Sequence, residues 1–154
     1  RDLLPVAQAY GMGVLPWSPL AGGWLSGAFG EGKDNTSRRS ARLPERYDLS
    51  NPANQKKLEI VTELATVAKD ANLTLIEMAI AFVLQHPAIS AAIIGPRTME
   101  HLNSQLPAAD VLLESSVLDR IDELVAPGTN VNPGDAGYIP AALRDPALRR
   151  RPNP

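Results

Sequence analysis

Two short apolar segments set the problem this chain has to solve. Residues 14–17, Val14 to Trp17 in an unbroken apolar run, and residues 89–94, continuous and β-branched, have the composition of strands with no polar alternation. Strands of that kind are expected where helices cover both faces of a sheet. The residues between them carry helical periodicity, so the order is strand, helices, strand, which builds parallel sheet. Two parallel strands cannot stand alone, because each leaves one row of backbone donors and acceptors unpaired.

Around these strands the punctuation is clear. Leu3, Leu4, Val6, Ala7 and Tyr10 fit the tail of an amphipathic helix stopped by Gly11. Residues 27–51 hold Gly30, Gly32, Pro44 and four arginines (Arg38, Arg39, Arg42, Arg46) with little apolar periodicity, a long loop of lid-like type. Asn51 and Pro52 open a helix as N-cap and first-turn residue, with Leu58, Val61, Leu64, Ala65 and Ala68 on its inner face, ending near Asn72. Thr74 to Glu77 reads as a capping box for a second helix with Met78, Ala79, Phe82 and Val83 inward, closed by His86 and Pro87. Thr98 caps a third helix running to about Leu106 and stopped by Pro107. Ser116 caps a fourth, with Leu118, Ile121, Leu124 and Val125 as its buried stripe. Residues 1–128 thus form the strand and helix units, and 129–154 an irregular tail whose Arg149, Arg150 and Arg151 read as a solvated terminus.

The composition narrows the classes of partner. A net charge of −2 gives no field that favours nucleic acid or an anionic membrane. No apolar run approaches the roughly 20 residues of a membrane span. The chain has no cysteine, which excludes disulfides and thiolate metal sites and fits the cytoplasm. Its two histidines, His86 and His101, are too isolated to hold a metal.

The turns that follow the two strands carry the chemistry. After Trp17 come Ser18, Pro19, Leu20, Ala21, Gly22 and Gly23. Small residues there let the backbone N–H groups of Leu20, Ala21, Gly22 and Gly23, with the Ser18 hydroxyl, line a pyrophosphate. No GxGxxG fingerprint is present, so a Rossmann domain has no support. After the second strand, Gly95 and Pro96 precede Arg97, which sits beside the helix that Thr98 caps. A guanidinium beside free helical N–H groups is a receptor for a phosphate dianion; the competing fate of Arg97 is a surface salt bridge.

The run Trp17-Ser18-Pro19-Leu20-Ala21-Gly22-Gly23-Trp24-Leu25-Ser26-Gly27 and the later Ile93-Ile94-Gly95-Pro96-Arg97-Thr98 resemble the segments that follow the seventh and eighth barrel strands of aldo-keto reductases. The arginine-bearing loop is similar to that of the potassium-channel β-subunit-like branch. The resemblance implies an α/β chain that is the C-terminal part of a (β/α)8 TIM barrel, its last two strands with their helices. A complete barrel takes at least about 200 residues, so the 154 here are expected to be a piece of a longer polypeptide or to be completed by a second chain. The alternative is a small self-contained α/β sandwich with two strands hidden in the loop, for which Phe29, Leu43, Tyr47 and Leu49 are sparse material.

What the resemblance implies for the site follows residue by residue. Trp17 stacks on a nicotinamide, against the alternative of a core tryptophan, while Trp24 packs. Residues Ser18, Pro19, Leu20 and Gly22 hold the pyrophosphate, and Gly95 and Arg97 hold the adenosine 2′-phosphate. His101, Ser104 and Gln105 meet ribose and adenine from one helix face. The cofactor is therefore NADP(H) and the substrate a small carbonyl compound. The family often has Gln or Arg where His101 stands and Asn where Gln105 stands. The family's proton-donating Tyr, with its Lys, Asp and His, lies on earlier strands, and Tyr10, Tyr47 and Tyr138 have no matching context. Three readings remain: the cofactor part of an oxidoreductase, a cofactor-sensing regulatory subunit of the same family, and a non-catalytic interaction fragment.

Overall fold

The computed structural model describes residues 2–29, 38–136 and 140–150. Helix α1 spans Leu3–Ala9. It ends as expected at Gly11, whose φ of +63° lets the Met12 N–H reach the Ala7 carbonyl at 2.8 Å and the Gly11 N–H reach that of Gln8 at 3.2 Å. These paired bonds are the Schellman closure that a left-handed residue makes possible.

The chain then runs extended and meets the second apolar segment side by side. Trp17 and Ile93 form a parallel bridge, the Ile93 N–H donates to the Pro16 carbonyl at 2.8 Å, and the Ser90 N–H to that of Val14 at 2.9 Å. The two segments are thus parallel neighbours, but the strands expected of them are not formed: among the described residues they meet at this one bridge and build no ladder. The reason is chemical. Pro16 has no N–H to offer, and the Val14 N–H turns to the Ser90 hydroxyl at 3.1 Å, so the first segment mostly accepts.

Burial also departs from the expectation of two covered faces. Val14, Pro16, Ala92 and Ile94 are half-buried, whereas Leu15, Trp17 and Ile93 are more than half exposed. Exposure alternates with the period of two that a sheet requires, so one face packs and the other is open among the described residues.

The helical layer carries the core. The described part of the 27–51 loop is not structureless: it holds helix α2, Arg38–Arg42, and a 3₁₀ turn, Pro44–Arg46. Residues 30–37, where the rest of the expected lid falls, lie outside the described residues. Helix α3, Pro52–Asp70, starts on Asn51, whose side chain accepts from the Ala53 N–H at 2.9 Å. Val61 and Ala68 are buried as expected; Ala65 is exposed and Val67 is buried instead, because α3 packs against two helices, α4 (Leu75–Leu84) and α6 (Ser115–Leu124). Asn72 ends the preceding turn at φ +56°, with the Leu73 N–H on the Ala68 carbonyl.

Both halves of the Thr74 and Glu77 capping box are formed. Apart from Glu77, helix α4 is apolar, and Phe82, expected inside, is 43% exposed. Helix α5, Met99–Gln105, is capped by the Thr98 hydroxyl, which accepts from the His101 N–H at 3.2 Å, and Pro107 converts the chain to a 3₁₀ turn. Helix α6 corrects the expected cap: Glu114, not Ser116, occupies the N-cap position. The Gln85 side chain grips Leu113 by both its N–H and its carbonyl, each at 2.9 Å, and the chain turns into the helix directly afterwards. The tail is also more structured than expected. It contains a 3₁₀ turn, Pro133–Ala136, and helix α7, Ala141–Arg144, against whose carbonyls at Ala142 and Leu143 the Arg149 guanidinium folds back. Tyr138 and Arg151 lie outside the described residues.

Candidate dinucleotide-binding rim

Parallel pairing decides where the two candidate turns emerge. Trp17 lies directly beside Ile93 and both segments run the same way, so residues 18–23 and 95–97 leave the sheet at one edge. Neighbouring strands are about 5 Å apart, which puts both turns within reach of a single dinucleotide.

The 18–23 turn is built from left-handed backbone. Ser18, Ala21, Gly22 and Gly23 have φ of 60, 49, 72 and 106°. For Ser18 and Ala21 this region costs roughly 1–2 kcal/mol each, a strain of the kind that accumulates at ligand sites. Inside the turn the Ala21 N–H donates to the Ser18 carbonyl at 2.9 Å and the Gly23 N–H to that of Leu20 at 2.8 Å. Two of the four amides expected to face a pyrophosphate are thus engaged within the turn itself. Those of Leu20 and Gly22 make no such bond within the turn among the described residues.

Behind the turn stands a stack of three rings. Trp24 and Phe29 are buried with ring centroids 4.4 Å apart, and Tyr47 lies parallel to both at 5.7 and 5.6 Å. The Tyr47 hydroxyl donates to the Gly22 carbonyl at 2.8 Å. On the other side the Lys57 ammonium sits 4.4 Å above the Trp24 ring and donates to Asp135 of the tail, which Arg46 also approaches at 3.8 Å. Asn54, one turn before Lys57, is wholly buried. It donates to the carbonyls of Glu45 at 3.0 Å and Asp48 at 2.9 Å and accepts from Asn132 at 3.0 Å. Asp48 in turn receives the Ser50 N–H at 2.8 Å and the Ser50 hydroxyl, which hold its carboxyl below the usual carboxylate range. The sequence places Trp24 correctly in the packing. It gives no sign of Asn54, Lys57 or Asp135, because polar residues spaced along an amphipathic helix and a Gly/Pro tail read as solvated surface.

At the second turn Arg97 is exposed, and among the described residues it enters no ion pair, so the surface salt bridge weighed above is not formed. Gly95 faces open space. His101 and Ser104 are half-buried, the Ser104 hydroxyl bonding its own helix at the His101 carbonyl, while Gln105 is buried at 8% exposure. The three residues expected on one face therefore differ in access. Trp17, at 72% exposure, stands at the rim rather than in a core among the described residues. No group of three or more His, Asp or Glu is placed to hold a metal among them. Tyr10 is exposed at the end of α1, and Tyr47 is engaged in the ring stack.

Comparison with known proteins shows the family. The Aldo/keto reductase family profile matches residues 1–126. An uncharacterized oxidoreductase, YrpG, of Bacillus subtilis is 33% identical over 141 residues, 92% of this chain and 38% of its own length. A putative voltage-gated potassium channel subunit beta of Schizosaccharomyces pombe is 30% identical over 81% of this chain and 37% of its own. A probable one of Arabidopsis thaliana is 32% identical over 80% and 38%. Among solved structures, a glycerol dehydrogenase from Gluconobacter oxydans superposes with a TM-score of 0.70 at 20% identity, over 90% of this chain and 41% of that one, a likeness of fold. The chain belongs to the aldo/keto reductase family, whose members are built on a (β/α)8 barrel, and to its potassium-channel β-subunit-like branch. It spans under two fifths of the length of these curated relatives.

Proposed function

We propose that this chain is the cofactor-holding C-terminal part of an NADP(H)-dependent aldo-keto reductase that interconverts a small carbonyl compound and its alcohol. The observation that carries the reading is the parallel Trp17 and Ile93 bridge, because it brings the 18–23 turn and Arg97, which enters no ion pair among the described residues, to one rim. The donor set fits an anionic dinucleotide. The Leu20 and Gly22 amides, with Ser18 and Pro19 shaping the turn, receive the pyrophosphate; Gly95 gives room and Arg97 takes the 2′-phosphate through two charge-assisted bonds. Trp17 offers its flat face to the nicotinamide, and His101, Ser104 and Gln105 border the adenosine. When bound, the nicotinamide supplies or accepts the hydride.

The proton donor and its partners belong, in this reading, to the barrel strands that complete the open face of Leu15, Trp17 and Ile93, in the same polypeptide or a second one. The working compartment is the cytoplasm, where a chain without cysteine is at home. Similarity to proteins described as potassium channel subunits favours a second reading, in which cofactor occupancy rather than turnover is the output.

Replacing Arg97 with Ala tests the assignment. Loss of hydrogen bonds to a charged group, about 1.5–3 kcal/mol, weakens NADPH roughly ten- to hundredfold and leaves NADH nearly unchanged. Equal weakening of both would remove the 2′-phosphate from Arg97. Loss of NADPH absorbance in the presence of a carbonyl compound separates the enzyme from the sensor.

A further inference from the structure

We infer that Tyr47 is a positioning residue for the cofactor turn, acting through the peptide unit between Gly22 and Gly23; the inference rests on the reading of that turn as the pyrophosphate site. That peptide unit is held at both ends. Its carbonyl oxygen, on Gly22, accepts the Tyr47 hydroxyl at 2.8 Å, and its N–H, on Gly23, donates to the Leu20 carbonyl at 2.8 Å. In a trans peptide the two groups point in opposite directions, so the two bonds together oppose rotation of the plane.

The turn needs such a restraint. Glycine at 22 and 23 populates positive and negative φ about equally, so nothing in these residues selects the observed +72 and +106°. A flip of this plane changes ψ of Gly22 and φ of Gly23 and so disturbs the arrangement that presents the Leu20 and Gly22 amides. An anion that binds one arrangement binds more weakly by the fraction of time the turn spends in the other.

Tyr47 is itself rigidly placed. Its ring lies within 15° of parallel to both Phe29 and Trp24, and Trp24 is backed by Lys57, which the tail's Asp135 holds. The hydroxyl therefore reaches Gly22 from a fixed platform 25 residues further along the chain. A stack without the hydroxyl would pack as well, which is the reason to assign the oxygen a separate role.

Tyr47→Phe keeps the stack and removes the bond. In the full-length protein, with NADPH and NADH as probes, we expect the Kd of both to rise about three- to tenfold, the effect of one neutral hydrogen bond. KM for NADPH should rise with kcat at saturating cofactor held, and the urea midpoint should stay at the wild-type value, because the turn rearranges locally. Tyr47→Leu, which also deletes the ring stack, should lower the urea midpoint as well. Tyr47→Phe binding both dinucleotides within twofold of wild type, while Arg97→Ala loses NADPH, would overturn the inference alone. Weaker binding that tracks a fall in the Tyr47→Phe urea midpoint would make Tyr47 a structural residue and overturn it too. A wild-type protein that binds neither dinucleotide would overturn both the inference and the reading beneath it.

Discussion

Asn54 has no exposed surface, and each of its three hydrogen bonds goes to a different piece of chain: the carbonyls of Glu45 and Asp48 and the amide of Asn132. Truncation to Ala would leave two part-buried carbonyls and one amide without their partner. At about 1–3 kcal/mol for an unsatisfied group, and with partial relaxation of the exposed loop, Asn54→Ala should lower unfolding free energy by roughly 3 kcal/mol in a urea titration. Asn54→Asp should also be harmful, because a carboxylate cannot donate to the carbonyls of Glu45 and Asp48. At this scale the sequence is least legible. Arg97, Gly95 and the 18–23 turn stand out as candidates by their place after apolar segments. Asn54 and Lys57 do not, since their importance comes from a loop and a tail that meet them from 6 to 78 residues away.

The elements were the most legible part of the chain. Pairs of short-range signals, Asn51 with Pro52 and Thr74 with Glu77, fix helix starts because the atoms that satisfy the first amides lie within three residues. The Ser116 cap failed where a long-range contact, Gln85 on Leu113, set the start of α6 instead. Helix ends follow the same local logic. Asn72 sits at φ +56° with the Asn72 and Leu73 amides folded back on the carbonyls of Lys69 and Ala68. Asn72→Ala should cost about 1 kcal/mol, the penalty for an ordinary side chain in the left-handed region, whereas Asn72→Gly should be neutral or slightly stabilising. The comparison of the two variants in urea separates backbone conformation from any contact of the asparagine side chain. For the two apolar segments the meeting point and the parallel direction were legible, but the strands themselves are not formed among the described residues, because Pro16 withholds a donor that no hydropathy pattern reveals.

Among the described residues the molecule has a closed side and an open one. The helical side buries Trp24 at 3% exposure, while the sheet side leaves Trp17 at 72% beside Leu15 and Ile93. With two tryptophans so differently placed, acrylamide should quench one emitting population readily and the other poorly. Association with the rest of the barrel should protect the accessible one; if both remain as accessible as before, the open face is not where the barrel closes. Two lone apolar segments raise the expectation of neighbours; which face would stay exposed was not readable from them. The hydrogen bond from Asn132 to Asn54 and the ion pair of Asp135 with Lys57 carry a consequence for ancestry. Residues 132–135 are chemically bound to the fate of 46–57, so substitutions in either stretch should be inherited in pairs. Residues 142–149, which fold on themselves through Arg149, should drift at their own pace.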